Sequence, residues 1–382
     1  MLYSKLPNTG TTIFTTMTQM AQQFGAINLA QGFPEFSPAG DLLDLVYKHL
    51  LLGNNQYTPM AGHYPLREAI SSKISRLYGQ EYDPETEITI TAGATQALFT
   101  AIGTIVQEGD EVIVFEPAYD SYTPAIKLNG GTPVYIQLLA PDFNIDWEKV
   151  KRAITARTKL IILNSPHNPT GSVLSPEDLV TLAKIVSGTR IYLLSDEAYE
   201  HIIFDGLKHC SLAGNAQLRS RSFVVASLGK TYHATGWRMG YIVAPKAEMT
   251  EFRKIHQFTV FNSNAPIQFA LAEFLNREYE YQNLPDFYQA KRDLFCNLLK
   301  DSSFKFTPAS GSFFQSMDFS ALTDLSDKAF VEWLVKEVGV AAIPYSAFYH
   351  QKTELQYVRF CFAKSDETLY RAAEKLHIVM NK

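Results

Sequence analysis

Lys230 follows a short apolar run, Phe223-Val-Val-Ala226, and so stands where parallel sheets place their ligand crevices. A lysine held there loses part of its hydration, its ammonium pKa falls, and the amine becomes a nucleophile able to form a Schiff base. Ser227, Gly229, Arg238 and Gly240 surround it in sequence and supply a hydroxyl, a guanidinium and small residues that permit close approach, the parts of a phosphate site. One strand upstream, Asp196 and Tyr199 put a carboxylate and a phenol three residues apart. A buried aspartate needs a cationic partner, and the protonated nitrogen of a pyridine ring is one. Earlier again, Asn164-Ser-Pro-His-Asn168-Pro-Thr-Gly171 forms a turn that can point the Asn168 amide at the same place. The segment Gly93-Ala94-Thr95 opens a helix with free backbone N–H groups, a natural anion seat. Arg359 is a lone guanidinium between apolar neighbours, shaped for a carboxylate. Taken singly each has an ordinary role: surface lysine, helix cap for Asp196, ion-pair partner for Arg359, core filling for Tyr119.

The elements that must position these residues are legible as alternating β-branched runs and helical periodicities, the mark of an α/β fold with a largely parallel sheet. Candidate strands are 87–91, 111–115, 132–137, 159–163, 190–195, 222–226 and 239–243, seven in all. Ala97, Leu98, Ala101, Ile102, Ile105 and Val106 repeat at helical spacing, and Gly109-Asp110 closes that segment. Beyond about residue 280 the pattern changes to helices at 327–338 and 367–380 with short strands at 312–317 and 357–362, a smaller α+β domain. No proline-rich or serine-rich linker separates the two parts.

Composition narrows the classes. The chain has 382 residues, 46% hydrophobic and 19% charged, which excludes disorder and suggests about two domains at ~100–200 residues each. A net charge of -5 offers no electrostatic grip on nucleic acid or an anionic membrane. Apolar runs such as 159–163 are far short of the ~20 residues of a spanning helix, and the first residues lack a secretory signal, so a cytoplasmic location is expected. Three scattered cysteines suggest core thiols, and the nine histidines show no metal-ligand spacing, so no metal is expected. Gly229-Lys230-Thr231 fails as a P-loop because Val224 replaces the required glycine.

Order and spacing together carry more than any single residue. Asn168-Pro-Thr-Gly171, Asp196-x-x-Tyr199 and Ser227-x-x-Lys230 with Arg238 eight residues on resemble the class I aminotransferases, fold type I pyridoxal phosphate enzymes. The segments 28–34, 55–58, 116–120 and 357–362 look like the branch that holds methionine aminotransferases and kynurenine (glutamine) aminotransferases. The likeness implies pyridoxal 5'-phosphate as cofactor, a large domain at 46–279, a small domain at 280–382, and an N-terminal arm at 1–45 shared with it. It also implies a homodimer with active sites at the interface. Lys230 then holds the cofactor aldehyde and moves the substrate proton; Asp196 keeps the ring nitrogen protonated; Tyr199 and Asn168 hold the ring hydroxyl; Tyr119 stacks on the ring. Gly93, Ala94, Thr95, Ser227 and Arg238 hold the phosphate, joined by Tyr57 of the neighbouring subunit. Arg359, Asn168 and the Gly32 backbone orient the substrate carboxylate, and Phe14, Tyr57 and Phe261 line an apolar side-chain pocket. The implied reaction takes an amino group from methionine, or from phenylalanine, tyrosine, glutamine, histidine or kynurenine, to a 2-oxo acid. Asn262 stands where kynurenine-type enzymes place a histidine, which favours the methionine-type reading. Two rivals are a β-lyase on the same fold, acting on cysteine conjugates or cystathionine, and a ligand-sensing regulator. The regulator is set aside because the aminotransferase pattern starts near residue 20.

Overall fold

The computed structural model of the chain describes residues 2–7, 9–351, 353 and 355–377. Its strands are Ile27–Asn28 (β1), Ile88–Thr91 (β2), Glu111–Glu116 (β3), Thr132–Gln137 (β4), Thr158–Asn164 (β5), Tyr192–Asp196 (β6), Ser222–Ala226 (β7), Gly240–Val243 (β8), Phe314–Asp318 (β9), Val340–Ala341 (β10), Ile343–Pro344 (β11) and Tyr357–Cys361 (β12). Seven of them form one sheet in the order β2-β8-β7-β6-β5-β3-β4. Five neighbours, β4, β3, β5, β6 and β7, run parallel. β8 is reversed against both β7 and β2. The fold is therefore α/β with a mostly parallel seven-stranded sheet, as the alternation of runs predicts.

Near-continuous apolar strands form because both faces of the sheet are covered. In β5, Ile161 and Leu163 enter one core while Leu160 and Ile162 enter the other; Ile113 and Phe115 of β3 alternate with Val112 and Val114 in the same way. The second core is closed by the helix Gly93–Ile105, which buries Ala97, Leu98, Ala101, Ile102 and Ile105, and by Met249 and Phe252 of Lys246–Thr259. Each large side chain so buried contributes ~1.5–3 kcal/mol by leaving water.

The second layer is a three-stranded antiparallel sheet, β11-β12-β9, against the helices Leu284–Leu299, Asp327–Trp333 and Asp366–His377. β1 pairs in parallel with β10, which brings an early segment of the chain beside a late one. The expected helix at 327–338 is continuous, its last turn Leu334–Val338 being π-helical before Gly339. Of the helix expected at 367–380, residues 378–380 lie outside the described residues. β9 begins at Phe314 and not at 312, because Ser312 has φ +61°, a conformation no strand carries. Cys210, Cys296 and Cys361 are free thiols, and Cys210 is only partly buried. No described helix is long and apolar enough to cross a membrane.

Candidate active site

The carboxyl ends of β2, β3, β5, β6 and β7 open on one cavity of about 380 Å³, into which Arg359 of β12 also projects. This is the edge at which open α/β sheets bind ligands. Lys230 leaves β7 on a single helical turn, Leu228–Thr231, capped by the Ser227 hydroxyl, which accepts from the Lys230 N–H at 3.3 Å. Its Nζ donates to the Gly32 carbonyl at 2.6 Å and lies 5.1 Å from the Phe313 ring centre and 5.5 Å from that of Tyr199. Among the described residues it has no ion-pair partner. Burial lowers its pKa to about 8, and Arg359 and Arg238 push the same way against Cys361 and Asp196. Gly32 must be glycine, since a Cβ there would stand 2.6 Å from Phe314 Cζ.

Asp196 ends β6. The Tyr122 hydroxyl donates to its Oδ2 at 2.7 Å and the Ala198 N–H to its Oδ1 at 3.2 Å. Burial raises its pKa to about 6 against the pull of these two donors. Asn164, at the end of β5, donates through Nδ2 to the Asp196 carbonyl at 2.9 Å and accepts the Asn168 N–H at 2.8 Å. The Asn168 turn is thereby tied to the strand end that carries Asp196. Tyr199 is buried, edge-on to Phe313 at 5.1 Å and Phe314 at 5.8 Å, and burial pushes its phenol pKa well up.

Arg359 is buried on β12. Its Nη1 donates to Asn168 Oδ1 at 2.7 Å and its Nη2 to the Ala30 carbonyl at 2.8 Å, while Nε has no partner. The guanidinium lies 3.9 Å from the Phe314 ring centre and 5.2 Å from those of Phe14 and Phe348. Burial lowers its pKa to about 10. A planar cation held among aromatic rings with an unsatisfied donor is suited to a carboxylate.

At the opposite wall, Gly93 has φ +79° and a Cβ there would stand 2.6 Å from Arg238 Nη2. A Cβ at Gly240 would stand 2.9 Å from the Ala94 nitrogen. The two glycines thus clear a cradle between a helix N-terminus and a guanidinium, the arrangement that binds phosphate. Tyr119 flanks it, its hydroxyl 3.3 Å from Thr95 Oγ1. The donor set fits pyridoxal phosphate at each point: a cradle for the phosphate, a carboxylate for the ring nitrogen, and an amine of lowered pKa for the aldehyde.

Phe14, Gly32, Ala94, Thr95, Tyr119, Asn168, Asp196, Tyr199, Ser227, Lys230, Arg238 and Arg359 all line this cavity, and Gly93 shapes its wall. Tyr57 and Phe261 do not line it. They pack edge-on against each other at 5.4 Å on the outside of the chain, Tyr57 being 82% exposed. Sequence reasoning passed over Tyr122, Asn164, Phe33 and Phe314. Asn164 was detectable as the residue closing a strand at the right edge; Tyr122 had no signal beyond standing one turn after Tyr119.

The family model for aminotransferases of class I and II matches residues 26–376, and the chain belongs to that family of pyridoxal phosphate-dependent enzymes. Among its relatives, methionine aminotransferase of Escherichia coli is 48% identical over 374 residues, covering 98% of this chain and 97% of that one. A solved Escherichia coli structure with a methionine aminotransferase function superposes with a TM-score of 0.97 at 47% identity, over 99% of each chain. N-succinyldiaminopimelate aminotransferase of Mycobacterium tuberculosis superposes at 0.96 with 36% identity, over 99% of this chain and 100% of that one. Kynurenine–oxoglutarate transaminase 1 of Rattus norvegicus is 34% identical, over 94% of this chain and 93% of its own. The chain is an amino acid aminotransferase of fold type I, and the β-lyase alternative is not favoured.

Proposed function

We propose that the enzyme moves the amino group of a neutral apolar or aromatic L-amino acid, methionine foremost, to a 2-oxo acid. The observation that carries this is the inventory of cations around the cavity. Lys230, Arg238 and Arg359 are the cationic residues that this chain contributes to its lining, and each has a task. None is left to receive an acidic side chain, whereas Phe14, Phe33 and Phe314 offer apolar surface. The Escherichia coli relative acts on methionine, which supports the same choice.

When bound, pyridoxal phosphate supplies an aldehyde for the amino group and a protonated pyridine ring that takes up the electron pair released at Cα. The protein supplies placement and protons. Arg359 receives the substrate carboxylate through its guanidinium, and the aromatic rings around it exclude water and strengthen that pairing. Lys230 Nζ, its ammonium pKa lowered to about 8 by burial, would take the Cα proton and deliver it to the carbon on the far side of the amino nitrogen. Asp196 holds a proton at the ring nitrogen, while Tyr199 and Asn168 orient the ring hydroxyl. Gly93, Ala94, Thr95, Ser227 and Arg238 fix the phosphate.

The exposed Tyr57 and Phe261, with Phe258 84% exposed close by in sequence, suit contact with a second copy, in whose site Tyr57 and Phe261 would act. A homodimer, a cytoplasmic location, and the division into an arm at 1–45, a large domain at 46–279 and a small domain at 280–382 complete the reading; the β1–β10 pairing supports grouping the arm with the small domain. The test is a panel of amino donors against several 2-oxo acids. Methionine, phenylalanine and tyrosine should outpace aspartate and glutamate. Faster turnover of the acidic donors would overturn the neutral-donor reading, and pyruvate released from a cysteine conjugate without any 2-oxo acid would move the enzyme to the lyases.

A further inference from the structure

Tyr122 is 3% exposed and begins the helix Tyr122–Leu128, its ring packed in the core beneath the sheet. Phenylalanine would fill that space equally well and would not carry a hydroxyl out of water, which is unfavourable unless the hydroxyl is bonded. Its hydroxyl is bonded to one group, Asp196 Oδ2, at 2.7 Å. The same ring stands edge-on to Tyr119 at 5.7 Å and 79°. One side chain therefore touches both the carboxylate meant for the ring nitrogen and the aromatic meant for the ring face.

We propose that Tyr122 is a positioning residue for the aminotransferase reaction, its hydroxyl holding the Asp196 carboxylate ionised and aimed at the cofactor ring nitrogen. The proposal rests on the assignment of Asp196 to that nitrogen. An ionised carboxylate has about four acceptor sites. Tyr122 and the Ala198 N–H each fill one, on different oxygens, and both oxygens keep room for a further donor. Without the hydroxyl a buried carboxylate keeps a single donor from the protein, rotates more freely and protonates more readily, as burial already favours. A protonated Asp196 cannot hold a proton on the ring nitrogen.

The experiment compares Tyr122→Phe, Tyr122→Met, Asp196→Asn and the double variant Tyr122→Phe/Asp196→Asn, each reconstituted with pyridoxal phosphate. Cofactor affinity by absorbance titration, kcat and KM for methionine, and thermal melting are measured. Losing a charge-assisted hydrogen bond should cost about 10- to 100-fold in cofactor affinity or kcat, with KM for the donor nearly unchanged. In the Asp196→Asn background the loss of the hydroxyl should add little. Wild-type affinity and kcat in either Tyr122 variant, or an equal loss in both backgrounds, overturns the proposal. Tyr122→Met covers the case of a Tyr122→Phe variant that does not fold. A wild-type protein that fails to bind pyridoxal phosphate sinks the underlying site assignment instead, so the two failures are distinguishable.

Discussion

Lys73 is buried and Lys230 is half-buried in the cavity wall, and the two differ in the partner each amine meets. Lys73, in the helix Tyr64–Tyr78, is 1% exposed and lies 2.6 Å from Glu200 Oε1, with His201 Nε2 at 3.2 Å. Glu200 also accepts from Tyr78 at 2.6 Å and Tyr241 at 3.0 Å. Burial by itself would raise the Glu200 pKa, but Lys73 beside it wins and holds the carboxyl well below the usual range. Lys230 has a neutral carbonyl in place of a carboxylate. The partner separates the two: Lys73 meets a carboxylate, whereas Lys230 meets none among the described residues and burial lowers its pKa. The two regions also share a segment, since Asp196 and Tyr199 face the cavity while Glu197 and Glu200 alternate with them and anchor the strand end behind it.

The sharpest way to break this contrast is substitution of the free amine. Lys230→Ala should lower turnover by at least ~10³-fold, the scale of a lost acid–base group, while urea unfolding of the apoprotein is no easier than in wild type. A variant that keeps wild-type turnover would remove Lys230 from the chemistry. Lys73→Met should do the reverse, leaving Glu200 buried without its cation and reducing stability by ~3–5 kcal/mol; Lys73→Met/Glu200→Met should recover much of it. If Lys73→Met unfolds at the wild-type urea midpoint, the pair is not a structural anchor. A third test uses pH. Lys230 titrates near 8 when folded and at ~10.4 in a free chain, so between these values the unfolded chain binds more protons. Wild-type apoprotein should therefore gain stability relative to Lys230→Met as pH rises through that window, and a falling difference would contradict the lowered pKa. The smallest effect belongs to an exposed lysine: Lys254→Ala, which breaks the surface pair with Glu251 at 2.7 Å, should change stability by less than ~0.5 kcal/mol.

The same contrast explains what could be read in the residues. Asn168, Asp196 and Lys230 were legible because each follows an apolar run by a few positions, and parallel strands bring such ends to one edge. Strand limits shifted by a residue or two, since pairing register and not local preference ends a strand. The reversal of β8 left no trace, because a run buried on both faces reads alike in either direction. Lys73 was illegible for a different reason: its partner lies 127 positions away, and a lysine in a helix reads as a solvated face until the packing is known. Tyr122 was hidden as one aromatic among many, and Phe314 because its importance comes from Arg359, a neighbour in space alone. For Tyr57 and Phe261, a role in the site depends on a second copy and not on this chain's own cavity.

The pairing of β1 with β10 has a consequence for biosynthesis. Residues 27 and 28 leave the ribosome more than three hundred positions before Val340 and Ala341, which complete their ladder. Arg359 emerges later still, so all seven strands of the large sheet and Lys230 are synthesised well before the guanidinium of β12. A nonsense codon between positions 345 and 358 would therefore leave the seven-stranded sheet and Lys230 encoded in full while removing Arg359 together with the buried Val358, Phe360 and Phe362.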